Sequence, residues 1–378
     1  MSQGPHGPGV RTSSHSTSRS SSTELRSRTG AVVIDTGTWS CKAGFSGQQT
    51  PIVEINTPVG ISSGSGEDRP KDFTGEQALL CPDTEITEPI QNGVFINWDE
   101  VETLWQHLFD HELQVPADEY ALLITEPPLS PTTHREKMIE IAFESLGSPV
   151  FFVAEQPLLS TYANGRTSGL VVDVGYAASH TVPVHEGYSL AHATKRMELA
   201  GSHLSWYLMM LLEDLGYTLS NKMAHIVEDI KHKCCYVASN FESECQLPPV
   251  SCTLDFPLPD GQTISLSRER FECPEILFNP PSNWGISYMG IHEMAHRSLD
   301  KVPEDIRSIT YKNILLCGGS SLFERLERRF CSEFLQSLPP STEVGVVATL
   351  LRRYSAWIGG SILTSLKNFQ TWWIRRDE

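Results

Sequence analysis

The sequence predicts an α/β protein made of two similar lobes that enclose a ligand cleft. Buried strands alternate with helices in the first half, which indicates a parallel sheet with helices on its faces. The pattern then restarts, because "GLVVDVG" (169–175) repeats the opening "AVVIDTG" (31–37). Each copy has an apolar run, an Asp, one residue and a Gly, followed by a return strand. We therefore expect two duplicated α/β lobes with a ligand site between them.

The first copy begins with a strand and turn and continues with capped helices. Asp99 with Glu102 predicts one helix start as a capping box, and Thr133 with Glu136 predicts another, which Gly147 ends. The runs "YALLITEPP" and "PVFFVAE" predict buried strands, and Pro157 fits the first turn of the next helix.

The second copy follows the same plan after its own hairpin. Helices are predicted at Leu204–Leu215, ended by Gly216, and at about Met223–Val237. The run "NILLCGG" predicts a buried strand, and a further helix is expected to start near Ser321.

Composition limits the classes of function. The chain has 378 residues, of which 39% are hydrophobic, and this suffices for one large or two medium domains. A net charge of −17 argues against direct nucleic-acid binding. We find neither a run of about 18 apolar residues nor an apolar signal core. The nine scattered cysteines lack a CxxC pair and indicate a reducing compartment.

Residues 1–29 differ from the rest of the chain. They are rich in Ser, Thr and Arg and contain few apolar residues. Such a segment buries too little surface to fold, so we expect a disordered tail. Its role is either that of a leader without function or that of a phosphorylated or partner-binding arm.

Several blocks together resemble the actin superfamily. They are "IDTGTWSCKAGF", "VVDVGYAASHTVPVHEGY", "NGVFINWDEVETLW", "THREKMIEIAFESL", "VAEQPLLSTYANGRTSG", "LPDGQTISLSRERFECPEILFNP" and "YSAWIGGSILTSL". The resemblance covers Ala31 to the C-terminus and is strongest to the divergent, testis-type actin-like proteins. It implies the actin-type two-lobed fold around a nucleotide cleft. The first lobe would comprise residues 30–162 plus 354–378, and the second residues 163–353.

The resemblance also implies roles for individual residues in binding ATP with Mg²⁺ or Ca²⁺. Asp35 and Asp173 would hold the water shell of the metal, while Gln156 and His180 would position the attacking water. Lys42 would reach the phosphates. The other nucleotide-binding positions would be Gly37, Thr38, Gly175, Gly318, Gly319, Phe323 and Arg353. Mg²⁺ favours phosphate oxygens, waters and carboxylates, so this set is chemically sensible.

The phosphate loops depart from the pattern that the resemblance implies. Such loops need Gly or small side chains so that backbone N–H groups approach phosphate closely. Trp39 stands at a Gly position, Tyr176 at the Asp position and Ala177 at the following Gly. We expect Trp39 and Tyr176 to plug the cleft and make the site degenerate; the alternative is that both rings point outward and binding survives. On the adenosine side, His232 replaces a Glu and Glu228 a basic residue.

The assembly signals of the resemblance are altered too. The loop "ISSGSGEDRPKD" is shorter and more polar than the filament-contacting loop it matches, and the chain ends at "TWWIRRDE", before the usual terminal segment. We therefore expect no actin-type filament. A groove for protein partners is implied near Tyr162, Tyr188, Leu363 and Leu366, although the two leucines are also typical of ordinary core packing.

A zinc-protease pattern occurs in "GIHEMAHRSL". His292, Glu293 and His296 have the HExxH spacing that places two imidazoles on one helix face, and Glu324 or Glu327 would be the third ligand. However, "GIHE" is itself part of the actin-family resemblance, so a single histidine completes the pattern. We do not expect zinc.

The function predicted from these features is that of an actin-like cytoskeletal scaffold in male germ cells. It would be cytoplasmic, would not polymerise, would turn over ATP weakly or not at all, and would bind cytoskeletal or sperm-head scaffold proteins. One alternative is an active actin-like ATPase that assembles. Another is a nuclear actin-related subunit of a chromatin complex.

Overall fold

The computed structural model describes residues 30–62, 72–74, 84–217, 223–284 and 288–378. The predicted tail and most of the loop "ISSGSGEDRPKD" lie outside these ranges. In the described ranges, no helix combines the length and apolar composition that crossing a membrane requires.

The strands come in chain order as short segments, many of them fully buried. They are β1 Ala31–Thr36, β2 Ser40–Phe45, β3 Val53–Asn56, β4 Val59–Ser62, β5 Asp72–Thr74, β6 Thr84–Thr87, β7 Ile90–Gln91, β8 Val94–Phe95, β9 Ala121–Glu126, β10 Val150–Glu155, β11 Gly169–Val174, β12 Ser179–His185, β13 Tyr188–Ser189, β14 Lys195–Met197, β15 Leu254–Pro257, β16 Thr263–Leu266, β17 Ile314–Cys317, β18 Val346–Val347 and β19 Ile374–Arg375.

The α-helices lie between these strands. They are α1 Trp98–His107, α2 Thr132–Glu140, α3 Gln156–Ala163, α4 Gly201–Asp214, α5 Ala224–Cys234, α6 Phe241–Cys245, α7 Glu269–Glu275, α8 Ile291–Leu299, α9 Glu304–Tyr311, α10 Leu326–Gln336 and α11 Ser355–Ser365.

Two mixed sheets form the centres of the two lobes. The first has the order β19-β10-β9-β1-β2-β3, with β1, β9 and β10 parallel and β1–β2 an antiparallel hairpin. The second has the order β13-β12-β11-β17-β18, with β11, β17 and β18 parallel and β11–β12 an antiparallel hairpin. The predicted duplication is therefore confirmed, because each hairpin strand carrying Asp-x-Gly sits beside a parallel neighbour. The sheets are mixed rather than purely parallel.

Helices α3 and α11 pack closely beside the first sheet. A Cβ at Gly359 would lie 1.8 Å from the carbonyl oxygen of Leu159, so only glycine permits this approach of the two backbones. The indole of the fully buried Trp357 donates to the carbonyl of Val33 at 2.9 Å. This packing fixes the position of α3, which begins at the cleft.

Some predicted helix starts are wrong by a few residues. Helix α1 begins at Trp98 rather than after Asp99, because the amide side chain of Asn97 caps it by accepting from the Glu100 N–H at 3.5 Å. Helix α2 begins at Thr132, directly after Pro131, and not at a Thr133 cap. Helix α10 begins at Leu326 and not near Ser321, because Gly319–Ser321 is a single 3₁₀ turn.

Candidate functional site

The two hairpin turns face each other across a cavity of about 660 Å³. This volume lies within the range of about 300–1,000 Å³ that ligand pockets occupy. Both turns and the ends of neighbouring elements line it. All the predicted site residues are brought together here, namely Asp35, Gly37, Thr38, Trp39, Lys42, Gln156, Asp173, Gly175, Tyr176, His180, Gly318, Gly319, Phe323 and Arg353.

Asp35 is the centre of a hydrogen-bond network at the end of β1. Its Oδ1 accepts from Thr125 Oγ1 at 2.6 Å and from Gln156 Nε2 at 3.0 Å. Its Oδ2 lies 3.7 Å from Lys42 Nζ. The network forms because the parallel strands β1, β9 and β10 end at one edge of the sheet, and Gln156 begins the helix that follows β10. The carboxylate is therefore held in one orientation.

Asp173 and His180 face each other as ladder partners in β11 and β12. Burial, and next the nearby carboxylate of Asp35, raise the pKa of Asp173 to about 6, although Lys42 opposes this. Burial, and next Arg196, lower the pKa of His180 to about 4. The imidazole of His180 is therefore neutral near pH 7, and its buried Nε2 has no hydrogen-bond partner among the described residues.

Gly318 allows the loop after β17 to approach Asp173. Its φ is +85°, and a Cβ there would lie 2.3 Å from Asp173 Oδ1 and 2.4 Å from the Val174 carbonyl oxygen. An L-residue is excluded at this position by both conformation and space. Gly319 differs, since a Cβ there would meet nothing within 4 Å.

Trp39 and Tyr176 meet across the cavity. Their ring centroids are 4.7 Å apart with an interplanar angle of 36°. Both side chains are half-buried and line the cavity, so they do not point away from it. Burial, and next the carboxylates of Glu228 and Glu88, raise the pKa of the Tyr176 phenol, which stays protonated.

Lys231 is a buried cation that we did not select from the sequence. It is only 1% exposed, and its Nζ donates to the Gly201 carbonyl at 3.0 Å and to Ser205 Oγ at 2.6 Å. Its charge is paired with Glu228, whose Oε2 lies 2.7 Å away. The ammonium also lies 5.6 Å from the centroid of the Tyr176 ring. The signal in the sequence was Glu228 three residues before Lys231, a spacing that places both on one helix face.

Glu54 on β3 is a second residue that sequence reasoning missed. Its carboxylate accepts from Ser40 Oγ at 3.0 Å and from Tyr354 Oη at 2.8 Å, and it forms an ion pair with Arg353. Burial alone would raise its pKa, but Arg353, Tyr354 and other donors outweigh burial and lower it. Glu54 thus ties the first sheet to the segment before α11.

The side chains around the cavity suit a hydrated metal ion better than they suit a triphosphate. The carboxylate of Asp35, held by Thr125 and Gln156, is a ligand type that suits the water shell of a divalent ion, and the buried, unpartnered Nε2 of His180 fits a bound water. The triphosphate does not fit. The rings of Trp39 and Tyr176 are in tilted contact between the two turns, where phosphate would need close backbone approach.

The groove residues divide into two kinds. Tyr188 is 74% exposed and Leu366 is 51% exposed. Tyr162 and Leu363 are partly buried and pack against the apolar cluster around Trp357. Core packing therefore accounts for Leu363 but not for Leu366.

The HExxH histidines take part in packing. The ring of His296 stacks on Phe334 with centroids 4.0 Å apart, and its Nε2 lies 2.9 Å from the Phe334 carbonyl oxygen. The ring of His292 stacks on Phe278. Within the part of the chain that the structure describes, no group of three or more His, Cys, Asp or Glu side chains is arranged to hold a metal.

The duplicated fold and the facing hairpins define an actin-type protein, and comparison with known proteins agrees. The chain belongs to the actin family, whose profile matches residues 26–378.

Its relatives include divergent actin-like proteins. It is 46% identical to Actin-like protein 9 of Bos taurus over 358 residues, which cover 94% of this chain and 86% of that protein. It is also 46% identical to Actin-like protein 9 of Homo sapiens over 358 residues, which again cover 94% of this chain and 86% of that protein. It is 40% identical to Actin-like protein 7A of Rattus norvegicus, covering 93% of this chain and 80% of that protein.

Proposed function

We propose that the protein is a non-polymerising, actin-like cytoskeletal scaffold of male germ cells with weak or absent ATP turnover. The observation that carries the proposal is the contact between the Trp39 and Tyr176 rings, which lie between the two hairpin turns. Phosphoryl transfer depends on positioning and charge stabilisation, so aromatic rings at the phosphate position remove the conditions for catalysis. The short, polar loop "ISSGSGEDRPKD" supports the lack of assembly from the sequence alone.

An active ATPase is the second candidate, because one part of the site favours it. Asp35 and Gln156 keep an ordered arrangement, and His180 is neutral and turned to the same cavity. The proposal treats this set as a retained polar cluster that stabilises the cleft, and the alternative treats it as catalytic.

Two measurements on the purified full chain separate these candidates, with a conventional actin as positive control. Under Mg²⁺ and salt that polymerise the control, the chain is expected to stay in the supernatant after sedimentation. Phosphate release from ATP is expected to stay at the level of the buffer blank. Long helical filaments in the pellet, or phosphate release at the rate of the control, would overturn the proposal.

Location is tested separately in male germ cells. A tagged chain is expected in the cytoplasm with the cytoskeleton, where the groove beside Tyr188 and Leu366 would meet cytoskeletal or sperm-head scaffold partners. Staining confined to the nucleus would contradict this and favour the chromatin-complex alternative.

A further inference from the structure

Four of the five lysines and arginines that line the cavity are paired with a carboxylate of the protein. Lys231 lies 2.7 Å from Glu228, and Lys42 lies 3.7 Å from Asp35. Arg353 is paired with Glu54. These pairs are built into the walls, so a ligand anion would have to compete with a carboxylate for each of them.

The remaining cations of the lining are also engaged. The guanidinium of Arg352 donates to the Ser321 carbonyl and the Thr349 carbonyl, both at 2.8 Å. Lys233 lies 2.7 Å from Asp229. Over the described ranges, the lining therefore holds no lysine or arginine without a partner in the protein.

This arrangement disfavours a charged ligand. Binding a phosphate at any of the four paired cations would require breaking a wall pair, and a carboxylate left buried without its partner is costly. Asp173 adds a further carboxyl group to the lining of the cavity. The contacting rings of Trp39 and Tyr176 occupy the space between the two turns.

The same walls offer good partners to an uncharged ligand. Phe323, Trp39 and Tyr176 present aromatic surface, on which a flat ring system can stack. His232 lies on the same face of α5 as Glu228, with its Nε2 3.7 Å from Glu228 Oε2. Glu228 already accepts from Ser205 and Lys231, so the ring of His232 is the group that offers an acceptor to a hydroxyl or amino group.

The geometry points to a neutral, planar aromatic ligand with hydroxyl or amino donors, of the nucleoside class, and to rejection of its phosphorylated forms. This inference rests on the proposed function, since a working ATPase would need the triphosphate. A ligand of this class is the one that the cavity would still bind in a protein that does not turn over ATP.

Calorimetry on the full chain tests the order of affinity. The probes are adenosine, AMP, ADP and ATP, each with and without Mg²⁺. Affinity is expected to fall with each added phosphate, and adenosine binding is expected to be independent of Mg²⁺. Tighter binding of ATP than of adenosine would overturn the inference, and so would the absence of heat with every probe at millimolar concentration.

A variant tests the role of the wall pairs. Glu54→Gln removes the charge that pairs with Arg353 and keeps hydrogen-bonding capacity, so the affinity for AMP relative to adenosine is expected to rise about tenfold. Glu144→Gln is the matched control, because it removes the charge of an exposed pair with Arg376 outside the cavity. An unchanged ratio in a folded Glu54→Gln protein would contradict the argument. If that variant does not fold, the order of affinity in the unmodified chain decides.

The outcomes also separate this inference from the proposed function. If ATP binds most tightly but releases no phosphate, the inference is wrong and the scaffold proposal stands. If ATP binds most tightly and is hydrolysed at the rate of a conventional actin, both are wrong.

Discussion

Removing the rings of Trp39 and Tyr176 should loosen the contact between the lobes and admit ATP. The change is Trp39→Ala, Tyr176→Ala and the double variant, measured without nucleotide. An aromatic side chain buries about 150–250 Å² in full, so a half-buried ring at about 25 cal/mol per Å² contributes about 2–3 kcal/mol to the free energy of unfolding. The direct contact between the rings should appear as a coupling of about 0.5–1.5 kcal/mol between the two changes.

Urea unfolding of the four proteins measures this coupling. A second cycle on Trp206 and Trp284 is the control, since these rings are also in contact, with centroids 5.4 Å apart, but Trp206 is 46% exposed and neither residue lines the cavity. The control cycle should change stability without changing the affinity for Mg-ATP.

The Trp39/Tyr176 double variant should bind Mg-ATP more tightly than the unmodified chain does, because the space between the turns is cleared. Strictly additive stability changes would show that the rings do not support each other. Tight binding of Mg-ATP by the unmodified chain, with no gain in the double variant, would refute the reasoning altogether.

Further predictions concern Gly318 and the pair Asp173–His180. Gly318→Ala should lower the free energy of unfolding by at least about 2 kcal/mol, whereas Gly319→Ala should be nearly neutral, as chemical denaturation would show. The raised pKa of Asp173 means that the folded state holds a proton that the unfolded state releases, so this carboxyl group lowers stability as pH rises from about 4 to about 6. The lowered pKa of His180 has the opposite effect on stability. As pH falls from about 6.5 to about 4, the unfolded state takes up a proton before the folded state does, so the free energy of unfolding decreases. Denaturation series across pH 4–7 should therefore show a steeper acid loss of stability in Asp173→Asn and a shallower one in His180→Gln, and parallel curves for all three proteins would contradict both assignments.

The fold could be predicted because its strongest signals are local and repeated. The runs before Asp35 and Asp173 are continuous apolar strands that end in a glycine turn, and both hairpins form as the pattern requires. The first residues of the helices could be predicted less accurately from the sequence. The start of α10 depends on Gly318 with φ +85° and on Arg325 with φ +67°, backbone conformations that no residue pattern fixes.

The site could be predicted in part. The residues around Asp35 follow from the resemblance, but their orientation by Thr125 comes from the register of β1 and β9, which only the folded sheet sets. Lys231 and Glu54 were missed because a charged residue is normally exposed. Glu54 in particular meets Arg353 299 positions further along the chain.

The contacts across the cleft have a thermodynamic consequence. A protein whose lobes are joined by a bound ligand gains stability by mass action, about 2.7 kcal/mol when the ligand is at one hundred times its dissociation constant. The Trp39–Tyr176 ring contact and the Glu54–Arg353 pair belong to a single chain, so their contribution does not depend on the concentration of any solute. The cleft of this protein should thus stay equally closed in an energy-rich and an energy-depleted cell.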